Sequence, residues 1–578
     1  MRSEEGNREG RAGEHMNLKI SIGSQDFAFL REHNCFLVDK TDFIKKWWES
    51  GDAVTLITRP RRFGKTLNMS MLECFFSMKY QAQGNLFEGL SIWKEEKYRK
   101  LQGTYPVLAL SFAAVKADNL EDAKTQIKQQ ISKVYAENRY LLQGDTLSEK
   151  EREAYEKMDA SVSDAEAIDA LNNISRYLCR YYGKKVIILL DEYDTPMQEA
   201  YLNGYWEQFL AFMRSLFNAS FKTNPYLERA VMTGITRVSK ESIFSDLNNL
   251  RVVTTTSDLY ADCFGFTEEE VFNSLEKFGM SDKKELVKNW YDGFTFGKYR
   301  DIYNPWSITN CLKEKKIYPY WASTSSNGLV SKLIQGASVE IKEKMEDLIK
   351  KESILVNFDE QIVFEQIHQN ENAIWSLLVA SGYLKVEDVD YRGILREPWY
   401  QLQITNLETF SMFQTMFRGW FENPMANYGS FVKALLLGDL EAMNYYMNKV
   451  ALATFSYFDV GGDNTETMEP ERFYHGFVLG LMAEQMENFE IRSNRESGFG
   501  RYDIMMIPHD PVKNPAIIIE FKVCSRTNKE TLEDAVQSAL QQIIDKNYET
   551  ELLAQGIPKE KIRHYGFAFE GKKVLIGA

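Results

Sequence analysis

Residues 54–66, VTLITRPRRFGKT, decide the fold of the first half of this 578-residue chain. They open with a short apolar run that is typical of a buried strand and end in Gly64, Lys65 and Thr66. Residues 67–78 have the pattern of a helix. A strand, a loop and a helix N-terminus in this order bind phosphate, because backbone N–H groups and the helix dipole face the anion. The stretch therefore predicts a phosphate-binding loop.

The side chains of this loop have defined places in such a site. Lys65 would reach the β- and γ-phosphates, and the Thr66 hydroxyl would ligate Mg²⁺. The general pattern has glycine six positions before the lysine, where this chain has Arg59. A GKT sequence with basic neighbours also fits an ordinary surface turn, so the loop alone leaves both interpretations open.

A second apolar run, KVIILLDE at residues 185–192, ends in Asp191 and Glu192. Such a run is typical of a central parallel strand that is covered on both faces. Acids at its C-terminal end would lie where open α/β sheets bind ligands. Asp191 would hold Mg²⁺ directly or through water, and Glu192 would polarise an attacking water. A buried strand before a polar loop is the alternative, but together with the GKT loop the run favours nucleotide binding.

Further strand-like runs at residues 106–112 and 229–236 flank a polar helical region over residues 119–182. Alternating strands and helices predict a parallel sheet with right-handed crossovers. Thr236 ends the last of these strands and Arg237 lies just past its end, where both would sense the γ-phosphate. Helix capping and plain surface charge are equally compatible with these two residues.

Composition bounds the class of protein. A chain of 578 residues should hold more than one domain, since single cores stop growing at about 250–300 residues. The net charge of −14 argues against a surface coated for nucleic-acid binding, although a local basic groove is compatible with it. The six cysteines form no CxxC pair and indicate reduced thiols without a zinc site.

The sequence also predicts the protein's location. No run of about 18 apolar residues is present, so we expect no transmembrane span and no membrane partner. Residues 1–15 are charged and glycine-rich and lack the apolar core of a signal peptide. We therefore expect a cytoplasmic protein whose true start is Met16, with a disordered or mis-annotated extension before it.

The last hundred residues carry a second group of polar side chains, on strands predicted over residues 500–508 and 516–523. Asp503 lies on the first strand, and the period of two places Glu520 and Lys522 on one face of the second. If the strands are adjacent, two carboxylates can hold Mg²⁺ and the lysine can stabilise developing charge. An exposed salt-bridged ladder is less favoured, because unpaired charge beside an apolar run is costly.

The motifs TRPRRFGKTL at residues 58–67 and LLDEYDTP at residues 189–196 resemble the bacterial AAA-ATPase-like family, whose loop usually reads RPRRFGKT. The motifs ERFYHGFVLGL, SNRESGFGRYDI and IIIEFK resemble the PD-(D/E)XK nuclease superfamily. The resemblance implies an α/β fold in which a P-loop NTPase parallel sheet has helices on both faces. A helical or winged middle region and a restriction-endonuclease-like αβ domain follow, at boundaries that we expect at residues 1–16, 17–265, 266–465 and 466–578.

The motifs and the resemblance together imply four sets of functional residues. ATP would be bound by Arg61, Arg62, Phe63, Gly64, Lys65, Thr66, Leu67, Asp191 and Arg237. Mg²⁺ would be bound by Thr66, Asp191, Asp503 and Glu520. Catalysis would fall to Glu192, Asp503, Glu520 and Lys522. Either Glu471 or Glu484 would supply the extra helical acid of the superfamily. Gln542 and Tyr548 match positions whose role is uncertain. Tyr502 stands where the superfamily's name has proline.

The predicted function is ATP binding and hydrolysis that control a Mg²⁺-dependent nuclease acting on DNA or RNA. The architecture suggests genome defence or a mobile element in bacteria, and a homo-oligomer is compatible with it. The alternatives are a signalling or scaffold ATPase whose nuclease-like domain only binds a partner, and a nucleotide-binding interaction protein without turnover. Candidates for an arginine finger are Arg214, Arg237 and Arg251.

Overall fold

The computed structural model describes residues 18–236, 244, 247–321, 334, 339–349, 351–360, 372–413, 428–454, 474–475, 478–479, 481–482, 485, 488–497, 500–524, 530–571 and 573–578. The chain forms two compact units, each assembled from separate stretches. Unit 1 comprises Met1–Thr324, Asn357–Glu387 and Thr405–Glu408. Unit 2 comprises Ser325–Val356, Asp388–Ile404 and Thr409–Ala578.

A five-stranded parallel sheet lies at the centre of unit 1. Its strands are β1 (Val54–Thr58), β2 (Val107–Ser111), β3 (Val186–Asp191), β4 (Leu227–Gly234) and β5 (Leu250–Val253). Their order across the sheet is β2-β3-β4-β1-β5. Every residue of β1 and β3 is buried, so both faces of the sheet are covered and the predicted parallel α/β fold is confirmed.

Nine α-helices accompany this sheet in residues 18–236. They are α1 (Phe27–Glu32), α2 (Asp42–Ser50), α3 (Lys65–Phe76), α4 (Glu96–Leu101), α5 (Leu120–Glu137), α6 (Glu149–Glu156), α7 (Asp164–Tyr182), α8 (Thr195–Leu202) and α9 (Trp206–Phe217). The apolar side of α3 packs on one face of the sheet, where Leu72 and Phe75 join the same buried cluster as Ile57, Leu189 and Val231. This packing fixes where α3 begins relative to the end of β1.

Short strands and helices make up the described part of residues 266–404. They are β6 (Phe266–Thr267), α10 (Glu268–Lys277), α11 (Lys284–Tyr291), β7 (Phe294–Phe296), β8 (Tyr299–Tyr303), α12 (Pro305–Glu314), α13 (Val339–Ile349), β9 (Ile354–Val356), α14 (Ala373–Ala380), β10 (Leu384–Arg392) and β11 (Glu397–Ile404). The strands form two small sheets, in the orders β6-β8-β7 and β10-β11-β9. A capping box joins Thr267 and Glu270 at the start of α10, as the sequence predicts.

The C-terminal part of unit 2 is a mixed sheet with helices. Its elements are α15 (Tyr428–Leu437), α16 (Leu440–Thr454), β12 (Phe489–Ser497), β13 (Gly500–Pro508), β14 (Ala516–Val523), α17 (Leu532–Asp545), α18 (Thr550–Ala554), β15 (Ile562–Glu570) and β16 (Lys573–Gly577). The strands lie in chain order, and only the pair β14 and β15 is parallel. The mixed αβ arrangement is consistent with the predicted C-terminal fold. None of the described helices is both long and apolar enough to cross a membrane.

Candidate active sites

The loop between β1 and α3 has the backbone geometry of an anion site. Gly64 has a φ of +79° and precedes Lys65, the first residue of α3. The first N–H groups of a helix have no partner within the helix, so this end of α3 offers donors to a ligand. The Lys65 side chain is buried; its Nζ donates to the carbonyls of Arg59 at 3.1 Å and Pro60 at 3.0 Å. The ammonium is therefore held over the loop by groups that a phosphate can replace.

Asp191, the last residue of β3, connects this loop with the neighbouring strand. Thr66 Oγ1 donates to Asp191 Oδ2 at 2.6 Å, and Thr233 Oγ1 of β4 donates to Asp191 Oδ1. Burial raises the pKa of Asp191, while hydrogen bonds from Thr233 and Thr66 act in the opposite direction. Thr66 and Asp191 are thus brought together, and their oxygen atoms are metal ligands of the kind that Mg²⁺ prefers.

Glu192 follows directly and has a φ of +54°, in the left-handed region. This conformation costs a non-glycine residue about 1–2 kcal/mol, and residues held in it are concentrated at functional sites. Its Oε1 lies 3.8 Å from Lys65 Nζ, and its side chain is 21% exposed. The carboxylate therefore faces the loop while remaining accessible to water.

Arg59 occupies the loop position at which the general pattern has glycine, and its side chain points into the protein. It is fully buried, and one guanidinium nitrogen donates to the carbonyls of Thr58 at 2.9 Å and Thr254 at 2.6 Å. The guanidinium lies 4.5 Å above the ring of Phe296, and burial lowers its pKa to about 9. Arg59 therefore anchors the loop to residues beyond β5.

The other predicted loop residues divide between surface and core. Arg61 and Arg62 are exposed, and the Arg62 guanidinium lies 4.2 Å above the ring of Trp306. Phe63 is fully buried, and Leu67 packs against the core beneath α3. Phe63 can therefore serve a nucleotide only through its backbone, whereas Leu67 is only partly buried. Arg237 lies outside the described residues, and Thr236 is fully buried.

Phe63→Ala is expected to destabilise unit 1 by about 3–5 kcal/mol, the usual effect of deleting a buried phenylalanine. The Phe63 ring packs edge-on against Phe294 at 4.8 Å and Phe296 at 5.4 Å, and these contacts would be lost. Chemical denaturation measures the change. Phe29, which is 39% exposed, provides the control Phe29→Ala. A loss below about 1 kcal/mol in Phe63→Ala would show that the loop is not anchored by this ring.

The second predicted site lies on β13 and β14, which are adjacent and antiparallel. Ile504 pairs with Ile519, so Asp503 and Glu520 occupy the next positions on the two strands. Asp503 Oδ2 accepts a hydrogen bond from Phe521 N at 2.7 Å. Lys522 Nζ lies 3.8 Å from Glu520 Oε1, and Glu520 is only 2% exposed. The strand adjacency on which the predicted site depends is therefore confirmed.

Two further side chains contact this group from the region after β14. Gln542 Nε2 donates to Glu520 Oε1 and lies 3.3 Å from the hydroxyl of Tyr548. Tyr548 in turn donates to the carbonyl of Arg501. These contacts give Gln542 and Tyr548, whose roles the sequence leaves open, a place beside Glu520. Glu471 and Glu484 lie outside the described residues.

Sequence reasoning misses two residues that the structure brings to these sites. Thr233 binds Asp191, and His475 has its Nε2 3.0 Å from the carbonyl of Asp503. Thr233 lies in the apolar run of β4, and the adjacency of β4 to the acid-bearing strand is the signal that identifies it. His475 lies within the motif ERFYHGFVLGL, on which the resemblance already rests.

The chemistry of the donors fits a hard cation at both sites. Within the described ranges, no three His, Cys, Asp or Glu residues are grouped closely enough to hold a metal ion by themselves. Each site instead offers a small oxygen set: Thr66 and Asp191 in unit 1, Asp503 and Glu520 in unit 2. Mg²⁺ keeps several waters and is usually bound by one or two carboxylates with substrate phosphates, so both sets suit it.

Comparisons with known proteins agree with this arrangement. Residues 21–244 match the family model described as predicted AAA-ATPase, and residues 469–578 match that of the PD-(D/E)XK nuclease superfamily. A relative from Azotobacter chroococcum mcd 1, described as an uncharacterized protein in the vnfD 5′ region, is 24% identical over 550 residues. The aligned region covers 93% of this chain and 95% of the relative. These matches support a nucleotide-binding protein with a nuclease-like domain. The chain therefore joins a region that matches the predicted AAA-ATPase model to a C-terminal domain that matches the model of the PD-(D/E)XK nuclease superfamily.

Proposed function

We propose that the chain binds and hydrolyses ATP at the loop between β1 and α3. The observation that carries the proposal is the joining of Thr66, Asp191 and Thr233 by hydrogen bonds beside Lys65 and Glu192. Lys65 would exchange its loop carbonyls for the β- and γ-phosphates, and the N–H groups at the start of α3 would bind the same phosphates.

Thr66 and Asp191 would hold Mg²⁺, which when bound neutralises charge on the phosphates. Glu192 would orient and polarise the attacking water, because its partly buried carboxylate faces the loop and remains accessible to water. Arg61 and Arg62 would add positive charge at the surface of the loop. The sequence argument alone assigns Arg237 to nucleotide binding.

We further propose that the C-terminal domain cleaves DNA or RNA. Asp503 and Glu520 would hold Mg²⁺, and Lys522 would stabilise charge that develops on the scissile phosphate. Binding of ATP would control this activity by a population shift that depends on contacts with the γ-phosphate. We further propose that the protein acts in the bacterial cytoplasm, in genome defence or as part of a mobile element, and that it self-associates. We also propose domain boundaries at residues 17–265, 266–465 and 466–578.

Lys65→Ala tests the ATP assignment directly. Removing the ammonium deletes a charge-assisted contact with phosphate, so affinity for Mg²⁺–ATP should fall about 10- to 100-fold. Titration calorimetry measures the affinity, and Lys94→Ala, at an exposed lysine of unit 1, is the matched control. Equal ATP affinity in Lys65→Ala and wild type would contradict the proposed site.

One observation favours the alternative of a signalling or scaffold ATPase whose C-terminal domain binds a partner without cleaving. The net charge of −14 repels nucleic acid at long range and suits a protein partner. ATP hydrolysis that requires Lys65, with no cleavage of DNA or RNA in Mg²⁺ or Mn²⁺, would support this alternative.

A further inference from the structure

A fully buried carboxylate holds the outer end of the loop that follows β3. Asp194 Oδ2 accepts hydrogen bonds from Ile235 N at 2.9 Å, Thr236 N at 2.8 Å and Thr236 Oγ1 at 2.8 Å. Asp194 is also the N-cap residue of α8, where an aspartate normally binds N–H groups of the first turn. Its side chain makes no such bond to α8, which the structure describes in full. From α8 the carboxylate accepts only a side-chain bond, from Gln198 Nε2 at 3.3 Å, so the backbone that it binds is the chain leaving β4 and not the first turn of its own helix.

Tyr193 also binds this segment. Its N–H donates to the carbonyl of Thr233 at 2.9 Å, and its hydroxyl donates to the carbonyl of Thr236 at 2.8 Å. Gly234 lies between these contacts. Only glycine fits there, because a Cβ would stand 2.6 Å from Asp194 Oδ1 and 2.7 Å from the Tyr193 ring. We name this arrangement, in which Tyr193 and Asp194 hold residues 233–236, the tip clamp.

The tip clamp adjoins two groups of the nucleotide site. Thr233 precedes Gly234 and donates to Asp191, while Glu192 immediately precedes Tyr193. The left-handed backbone of Glu192 requires that the residues on both sides be fixed. Asp191 is fixed on one side by Thr66 and Thr233, and the tip clamp fixes the other side.

We propose that Tyr193 and Asp194 are positioning residues of the ATP site, which hold Glu192 and Thr233 in their places. The inference rests on the function proposed above, because those two groups act on ATP only if the site is an ATPase. Both clamp side chains are fully buried and act through the backbone of their neighbours. Their loss should therefore affect turnover more than nucleotide affinity.

Asp194→Asn and Tyr193→Phe remove the negative charge and the hydroxyl with little change of shape. We expect kcat for ATP hydrolysis to fall about a hundredfold in Asp194→Asn and about tenfold in Tyr193→Phe, with KM within about threefold of wild type. The matched control is Tyr155→Phe, since the buried Tyr155 hydroxyl also donates to a carbonyl, that of Tyr135, at 2.8 Å. The control should lower the melting temperature as much as Tyr193→Phe does and leave kcat unchanged.

Hydrogen–deuterium exchange of the nucleotide-free protein gives a readout that needs no activity. Loss of the carboxylate charge should speed exchange of the amides of Ile235 and Thr236 in Asp194→Asn. If Asp194→Asn does not fold, Thr236→Val is used in its place, because it removes only one of the donors to Asp194. Unchanged exchange and kcat in folded variants of an active wild type would overturn the inference alone. A wild type that hydrolyses no ATP would overturn the proposed function and the positioning role together.

Discussion

Glu192→Gln is expected to lower the rate of ATP hydrolysis by about two to four orders of magnitude, the usual contribution of a general base. Glutamine keeps the shape of the side chain but cannot accept a proton from the attacking water. ATP affinity should stay near the wild-type value or rise slightly, because the substitution removes a negative charge 3.8 Å from Lys65 Nζ. Phosphate release under saturating ATP measures turnover, and calorimetry measures affinity separately.

The exposed residue Glu207 provides the control Glu207→Gln in the same unit. This variant should retain wild-type turnover and affinity. A Glu192→Gln protein that keeps more than half of the wild-type turnover would remove Glu192 from the chemistry. The proposed Mg²⁺ site of Thr66 and Asp191 would then need another group to activate water.

Glu520→Gln is expected to reduce cleavage of DNA or RNA by about 10²- to 10⁴-fold, with little effect on folding. Gln542 Nε2 donates to Glu520 Oε1, and the glutamine oxygen can still accept this bond. The fold of the site is thereby retained while one of its two carboxylates is lost. The measurement is Mg²⁺- and Mn²⁺-dependent cleavage of mixed DNA and RNA substrates, with and without ATP.

Two comparisons make this result specific. Glu560→Gln, at an exposed residue of the same domain, should cleave as wild type does. Lys65→Ala should change the response of cleavage to ATP if nucleotide state controls the domain. Full cleavage by Glu520→Gln would contradict the assigned site, whereas absence of cleavage in wild type would favour the partner-binding alternative.

The strands were the most predictable part of the fold. The predicted bounds of β13 and β14, residues 500–508 and 516–523, are those of the structure. Both are apolar runs that end at turn residues, so local sequence determines them. The order of strands across the sheet was not predictable, because β4 lies between β1 and β3 through contacts distant in sequence.

The candidate sites were predictable where the residue type itself indicates the chemistry. Thr66 and Asp191 come together as their motifs predict, and Lys65 lies 3.8 Å from Glu192. Asp194 could not be identified in advance, because an aspartate before a helix reads as an N-cap. The anchoring role of Arg59 could not be predicted either, since its partner Thr254 is distant in sequence.

Each of the two units is assembled from separate stretches of the chain, which limits where the gene can be divided. A gene cut after codon 324 would encode a fragment of unit 1 without Glu408, whose buried carboxylate accepts from Ser307 Oγ and Trp321 N at 2.7 Å. Leaving such buried donors without an acceptor costs about 1–3 kcal/mol each. The same fragment would also lack residues 357–387 of unit 1. No single break in the gene yields both units complete, because any cut that leaves unit 1 whole removes residues 325–356 and 388–404 from unit 2.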